Sequence, residues 1–345
     1  MDKHYLKQLV NSMIKKILLA ITLFSLAACT GSQQRDYIKI KGFTQGTTYN
    51  ITYFSPDKKN LTPAIEELLE RVDSSMSVYR ENSIINSFNN SQEGFLLDSL
   101  LAETVMLSQQ YNEQTQGAFD ITIGQLVKAW GFHAKKGEMP DDQTIKQLKK
   151  TAGPNMIELN GLYLSKKHPE VMIDVNAIAP GYTVDVISDY LEELSITDYL
   201  VELGGEIRTS GKSPRNSKWL VGIDKPQENS IPGEDLQVII ELSDEALVTS
   251  GNYRKFFVRD GVKYSHTIDP VTGYPAKHSL LSATVIDKKS SRADALATAF
   301  MVMGVEKTKE WLSKNPEIEA YLISSNLQGQ FEVWMTEGLQ KRIKD

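Results

Sequence analysis

One cysteine, Cys29, stands among the 345 residues. That scarcity excludes a disulfide framework and any thiolate-based zinc or iron–sulfur site within one chain. Basic charge is also short: 38 Lys and Arg face 44 Asp and Glu, a formal net charge of −6. Phosphate-backbone binding needs a concentrated basic surface, so nucleic acid is set aside as a partner. The five histidines (His4, His133, His168, His266 and His278) are scattered without metal-ligand spacing. No strand-linked Gly-x-Gly-x-x-Gly, Walker lysine loop, His-Glu-x-x-His or Gly-x-Ser-x-Gly elbow occurs. Dinucleotide-fold, P-loop, zincin and serine-hydrolase readings therefore lack support. The remaining composition, 41% hydrophobic and 24% charged, is that of a globular chain and argues against extensive disorder.

Long apolar runs are missing too, apart from one near the N-terminus. Ile17–Ala28 carries no charge over 12 residues and follows Lys15 and Lys16. That is too short to span about 30 Å of hydrocarbon as a helix, and it fits a secretion-signal core. It ends Leu26-Ala27-Ala28-Cys29, which resembles the bacterial lipobox, whose cysteine is lipidated and becomes the mature N-terminus. The expectation is a signal peptide over residues 1–28, with Met13 as an alternative start, then a lipidated Cys29 and short tether over 29–35. The protein is then extracytoplasmic, facing the periplasm, and held to a bacterial membrane by acyl (palmitate) chains. Removing residues 1–28 takes away four lysines and one aspartate, so 38 against 44 becomes 34 against 43, a net charge of −9. With that balance the anchor is the acyl chains, not a polybasic patch.

The rest alternates between strand-like and helix-like blocks. Tyr49, Ile51 and Tyr53 alternate with polar residues, as a half-buried strand does. Thr62-Pro63 predicts an N-cap and first-turn proline, followed by Ile65, Leu68, Leu69, Val72 and Met76 at helical spacing. Asp98–Gln114 is a second helix. Asn160-Gly161 marks a hairpin between Met156–Leu159 and Leu162–Ser165. Val171–Val175, Tyr199–Leu203, Trp219–Ile223, Leu236–Leu242, Lys255–Val258 and Leu280–Ile286 read as strands. A helix carries Val184, Ile187, Leu191 and Leu194, and Ser291 is expected to cap another over Ala293–Met303. No repeat or long linker divides the chain, so residues 36–345 read as one large α+β domain with a mixed or antiparallel sheet and packed helices.

Four glycine-punctuated loops carry oxygen ligands. Gly117–Thr122 contributes Asp120, whose plain role is turn formation. Ile173–Tyr182 puts Asp174 before a small-residue turn and a helix start, which suits either phosphate or simple capping. Val248–Arg254 is followed by Tyr264–Pro275, a polar and aromatic stretch holding His266 and Asp269. In Arg292–Ala299, Asp294 and Thr298 are four apart and share one helix face. A carboxylate with a hydroxyl is hard-oxygen chemistry that suits Mg²⁺ held with water and phosphate, although a surface capping Asp would read the same.

Taken in order, these loops, with Gly46–Tyr49, Met76–Arg80 and Glu202–Glu206, resemble the FAD:protein FMN transferase family of ApbE-like enzymes over Gly42–Gly304. The resemblance implies an enzyme that splits FAD at its pyrophosphate, places FMN on a Thr or Ser hydroxyl of a partner protein and releases AMP. It implies FAD contacts from Tyr79, Ala118, Phe119, Asp120, Asp174, Pro180 and Ile268. It also implies an Mg²⁺ site from Asp294, Thr298 and the Ala177 carbonyl, with His266 and Asp294 as catalytic groups and His266 the proton-transfer group. The implied partner is an acceptor such as a subunit of a respiratory ion-pumping reductase.

Phosphoryl transfer asks for positioning and charge neutralisation, which an acidic protein obtains from a cation. Tyr79 and Phe119 are expected to offer aromatic surface to a flat ring. Three positions depart from the family pattern: Pro180 where many members have Lys, Asn176 for a usual Gly, and Gln45 for a usual Met. Arg254 or Lys277 is the candidate to replace the missing cation. Two alternatives stay open at this point, an FAD pyrophosphatase that uses water and a non-catalytic FAD-binding lipoprotein.

Overall fold

A computed structural model describes residues 35–132, 139–226, 235–252, 256–259, 262–265 and 267–344. The signal segment with Cys29, as well as Arg254 and His266, lies outside the described residues. Residues 37–345 form one unit.

Its frame is an eight-stranded sheet made of β1 (Tyr37–Thr44), β2 (Thr47–Phe54), β6 (Tyr199–Leu203), β7 (Glu206–Ser210), β10 (Glu245–Gly251), β13 (Leu280–Asp287), β14 (Glu319–Ser325) and β15 (Phe331–Met335) in that spatial order. Each neighbouring pair is antiparallel. Smaller antiparallel sheets are built from β3 (Gly94–Leu96), β4 (Ile157–Asn160) and β5 (Tyr163–Lys166), from β8 (Trp219–Asp224), β9 (Leu236–Leu242) and β16 (Ile343–Lys344), and from the ladder of β11 (Phe256–Arg259) with β12 (Val262–Ser265).

Alternation along the strands gives the main sheet two apolar faces. On β10, Val248 packs with Leu296 and Phe300, whereas its neighbour Leu247 packs with Val221 and Ile240 of the second sheet. On the first face lie α6 (Ala179–Glu193) and α7 (Ser290–Lys314), in contact with each other. A second core gathers α1 (Thr62–Met76), α2 (Ile84–Asn90) and α3 (Ser99–Gln114) around the buried 118–121 and 171–175 segments. Two short helices, α4 (Gly124–Ala129) and α5 (Asp142–Leu148), form a smaller cluster with Ile268, and α8 (Glu337–Gln340) precedes β16.

Several sequence expectations need correction. Thr62 is the first residue of α1 and not its N-cap; Leu61 occupies that position, and Asn60 Oδ1 accepts from the Thr62 N–H at 3.0 Å. Val171–Val175 is buried and extended but is not a ladder strand. It makes one parallel bridge, Met172 to Ile123, and the Asn89 side chain supplies both hydrogen bonds of Ile173, at 3.0 and 2.9 Å. An amide side chain presents the same donor and acceptor as a peptide group, so it substitutes for a neighbouring strand. Ser291 does not cap α7, because it lies inside the helix and its hydroxyl donates to Asp185. The helix also continues past Met303. Gly304 interrupts it at φ 75°, a left-handed conformation natural to glycine, and its Cα faces the His278 ring.

Candidate active site

The site begins where two extended segments run side by side. Asp174 N–H donates to the Ile121 carbonyl at 2.7 Å, and Gly124 N–H donates to Met172. The 118–120 turn is pinned from α3, since Asn112 Nδ2 donates to the Phe119 carbonyl at 2.7 Å and Phe119 N–H donates to Thr115 Oγ1. These bonds bring Asp120 and Asp174 into one region. Asp120 accepts from the Thr122 N–H and hydroxyl, at 2.8 and 2.6 Å. Burial pushes its carboxyl up, against the pull of those two donors. Asp174 accepts from the Asn176 N–H at 2.8 Å, closing a turn that aims the chain at α6.

Tyr79 stands at the edge of this region, 67% exposed. Burial of its phenol end raises the hydroxyl pKa, as does the Asp174 charge, while a hydrogen bond with Asn176 lowers it. A largely exposed ring beside Asp174 and Asn176 is available for stacking. Phe119 is not, which corrects the expectation of two stacking rings. Its side chain is 2% exposed and meets Tyr111 edge-on at 6.4 Å. Ala118 belongs to the same buried cluster. Ile268 is likewise buried, beside Leu126, Trp130 and Ile145, so its side chain serves the core. Its neighbouring loop is positioned by aromatic contacts, with Tyr274 packed at 5.9 Å on Trp130 and donating its hydroxyl to Asp142.

The second half of the site lies where α6 and α7 begin. Pro180 sits in the first turn of α6, a place where its missing N–H costs nothing. Gly181 is the third residue of α6, so its N–H has no partner within the helix, and it donates to Asp294 Oδ2 at 3.0 Å. The bond ties the buried Asp294 to the first turn of α6, into which the turn carrying Ala177 leads. Only glycine allows the approach, because a Cβ at 181 would lie 2.5 Å from the Ser290 carbonyl oxygen and 2.7 Å from Asp294 Cβ. One turn along α7, Thr298 Oγ1 lies 3.3 Å from Ser250 Oγ on β10. Of the departures from the family pattern, Gln45 at the β1–β2 turn donates to Thr183 Oγ1 of α6 at 3.0 Å, and Lys277 is exposed.

Carboxylate, hydroxyl and carbonyl make an all-oxygen donor set. Among the described residues no group of three or more His, Cys, Asp or Glu gathers as a metal cage. A single carboxylate with neutral oxygens fits Mg²⁺, which keeps waters and takes further ligands from substrate phosphates.

Sequence reasoning missed Asp185, which is buried between α6 and α7. It accepts from the N–H groups of Ser290 and Ser291, the Ser291 hydroxyl and Arg208 Nη1, at 2.7 to 3.1 Å. Its serine partners lie 105 and 106 residues away in sequence and Arg208 lies 23 away, beyond any local capping signal.

A sequence profile described as the ApbE family matches residues 45–322. A curated FAD:protein FMN transferase of Vibrio cholerae serotype O1 is 40% identical over 294 residues, covering 83% of this chain and 86% of that protein. Among solved structures, the flavin transferase ApbE from Vibrio cholerae has a TM-score of 0.80 at 37% identity, covering 89% of this chain and 99% of its own. The apo flavinyl transferase ApbE of Pseudomonas stutzeri has a TM-score of 0.81 at 34% identity, covering 89% and 97%. A match of this extent, on sequence and on fold, means that the chain belongs to the ApbE family.

Proposed function

We propose that this chain transfers the FMN moiety of FAD to a Thr or Ser hydroxyl of a partner protein and releases AMP. The observation that carries the reading is the Gly181 N–H donated to Asp294, which ties that buried carboxylate to the first turn of α6, just after Ala177. Tyr79 offers its face to the flavin, and the Asp120–Asp174 region borders it. Asp294, Thr298 and the Ala177 carbonyl are the residues that would hold Mg²⁺. When bound, the ion neutralises charge on the two phosphates of FAD. The acceptor oxygen forms a bond to the FMN phosphorus, the pyrophosphate P–O bond to AMP breaks, and His266 takes the hydroxyl proton. Histidine suits that task, being the side chain whose charge change lies nearest neutral pH.

The protein works outside the cytoplasm, lipid-anchored through Cys29, on a redox acceptor such as a respiratory reductase subunit. The lipobox-like Leu26–Cys29 sequence supports this placement. Replacement of Cys29 by Ser is expected to release the protein from membranes.

Purified protein mixed with FAD, Mg²⁺ and a candidate acceptor tests the activity. Flavin fluorescence on the acceptor band of a denaturing gel is the expected result. Free FMN and AMP without labelled acceptor would mean a pyrophosphatase, and unchanged FAD would overturn both enzymatic readings.

A further inference from the structure

The two helices at the site cap one another. Asp294 of α7 accepts the Gly181 N–H from the first turn of α6. In return, Asp185 of α6 accepts the N–H groups of Ser290 and Ser291, at 3.0 and 2.9 Å, and the Ser291 hydroxyl at 2.7 Å. Neither helix is capped by its own N-cap side chain, those residues being Ile178 and Lys289. First-turn N–H groups that are buried need an acceptor, so each helix depends on the other for its start. Asp185 is tied in turn to the sheet by Arg208 of β7 at 3.1 Å, and Arg208 also bonds Asp189 and Glu192 farther along α6. The network therefore runs from β7 through Asp185 to the turn that immediately precedes Asp294.

We propose that Asp185 is the positioning residue of the metal site, holding Asp294 and Thr298 of α7 in place against the first turn of α6. Asp185 touches neither metal nor substrate; it fixes the first turn of α7 to α6 through three hydrogen bonds. With Asp185 removed, two backbone N–H groups lose their acceptor and α7 is free to shift along α6. A shift of a few tenths of an ångström at Ser290 passes to Asp294, one turn later. The inference rests on the metal reading given above.

The test is Mn²⁺ titration of the full chain with FAD present, read by electron paramagnetic resonance, together with thermal unfolding of each variant. The unaltered protein is expected to bind one Mn²⁺ and Asp294→Ala none; failure of the unaltered protein to bind overturns the metal reading and this proposal with it. Asp185→Asn is expected to weaken Mn²⁺ binding by about 10- to 100-fold, the usual loss when the support of a ligand is removed. Ser291→Ala leaves both backbone donors in place, keeps the fold and is expected to weaken binding roughly threefold, as for one hydrogen bond. Tyr199→Phe serves as the structural comparison, because it removes a hydrogen bond to Glu192 at the far end of the same network. It should lower the melting temperature without changing Mn²⁺ affinity. If Asp185→Asn does not fold, Ser291→Ala decides. Unaltered Mn²⁺ affinity in the folded variants, despite lowered melting temperatures, would overturn the proposal alone.

Discussion

The indole N–H of Trp130 donates to the Gly273 carbonyl at 2.9 Å, joining the end of α4 to a loop 143 residues later in the chain. Both residues are buried, and the loop begins directly after His266. Trp130→Phe keeps the packing on Tyr274 but leaves a buried carbonyl without its donor. We expect a loss of about 1–3 kcal/mol in stability, read by denaturant unfolding, together with a lower kcat.

The contrast between Tyr79 and Phe119 gives a second prediction. Tyr79→Ala removes an exposed ring and is expected to raise the KM for FAD roughly tenfold with little change in melting temperature. Phe119→Leu alters a core side chain and should cost about 1 kcal/mol of stability while leaving that KM unchanged. Steady-state kinetics beside thermal unfolding separates the two effects. A raised KM in Phe119→Leu would show that the ring faces the cofactor after all.

Gly181→Ala adds a methyl group where the Ser290 carbonyl oxygen and Asp294 Cβ already stand at 2.5 and 2.7 Å. Overpacking at backbone atoms is expected to cost about 1–3 kcal/mol. Because one of those neighbours is the Cβ of Asp294, the residue proposed above to hold Mg²⁺, the same variant should lose Mg²⁺-dependent turnover. Activity at rising Mg²⁺ concentration checks this.

Burial of His278 disfavours its charged form. Nε2 lies 2.7 Å from the Met301 carbonyl and Nδ1 accepts the Leu280 N–H at 3.2 Å, so the ring donates through one nitrogen and accepts through the other. Burial depresses its pKa below the ordinary value, against the pull of the Met301 carbonyl. The unfolded chain therefore takes up the proton first as pH falls. The contribution of His278 is full above the unfolded value of about 6.5 and is lost as pH drops through the folded pKa. His278→Gln keeps one donor and one acceptor, and should flatten the stability profile below that pH relative to the unaltered protein.

Elements with local signals were legible in the sequence. Strand β2 announced itself by alternation of Tyr49, Ile51 and Tyr53, which are all buried. The Asn160-Gly161 turn does join β4 to β5. Asp98 caps α3 by accepting the Leu101 N–H. What stayed hidden was set by partners far along the chain. Apolar content marked Val171–Val175 as buried, yet nothing local shows that Asn89 supplies the bonds a strand would make. Serine at a helix start read as a cap, although the capping oxygens belong to Asp185 on another helix. Phe119 read as a stacking ring because composition gives an aromatic residue no direction. The oxygen donors themselves were visible, since Asp294 and Thr298 share a helix face; the Gly181 N–H that ties one of them to α6 was not.

Mutual capping of α6 and α7 has a bearing on how the protein comes into being. Gly181 and Asp294 are separated by 113 residues, so their hydrogen bond forms only after the intervening strands have found their places. Neither helix start carries a local substitute, and a partly assembled chain has no half-formed version of this constellation. On the proposed reading, chemistry at the pyrophosphate is thereby restricted to the finished molecule, in which both ends of the topology have met.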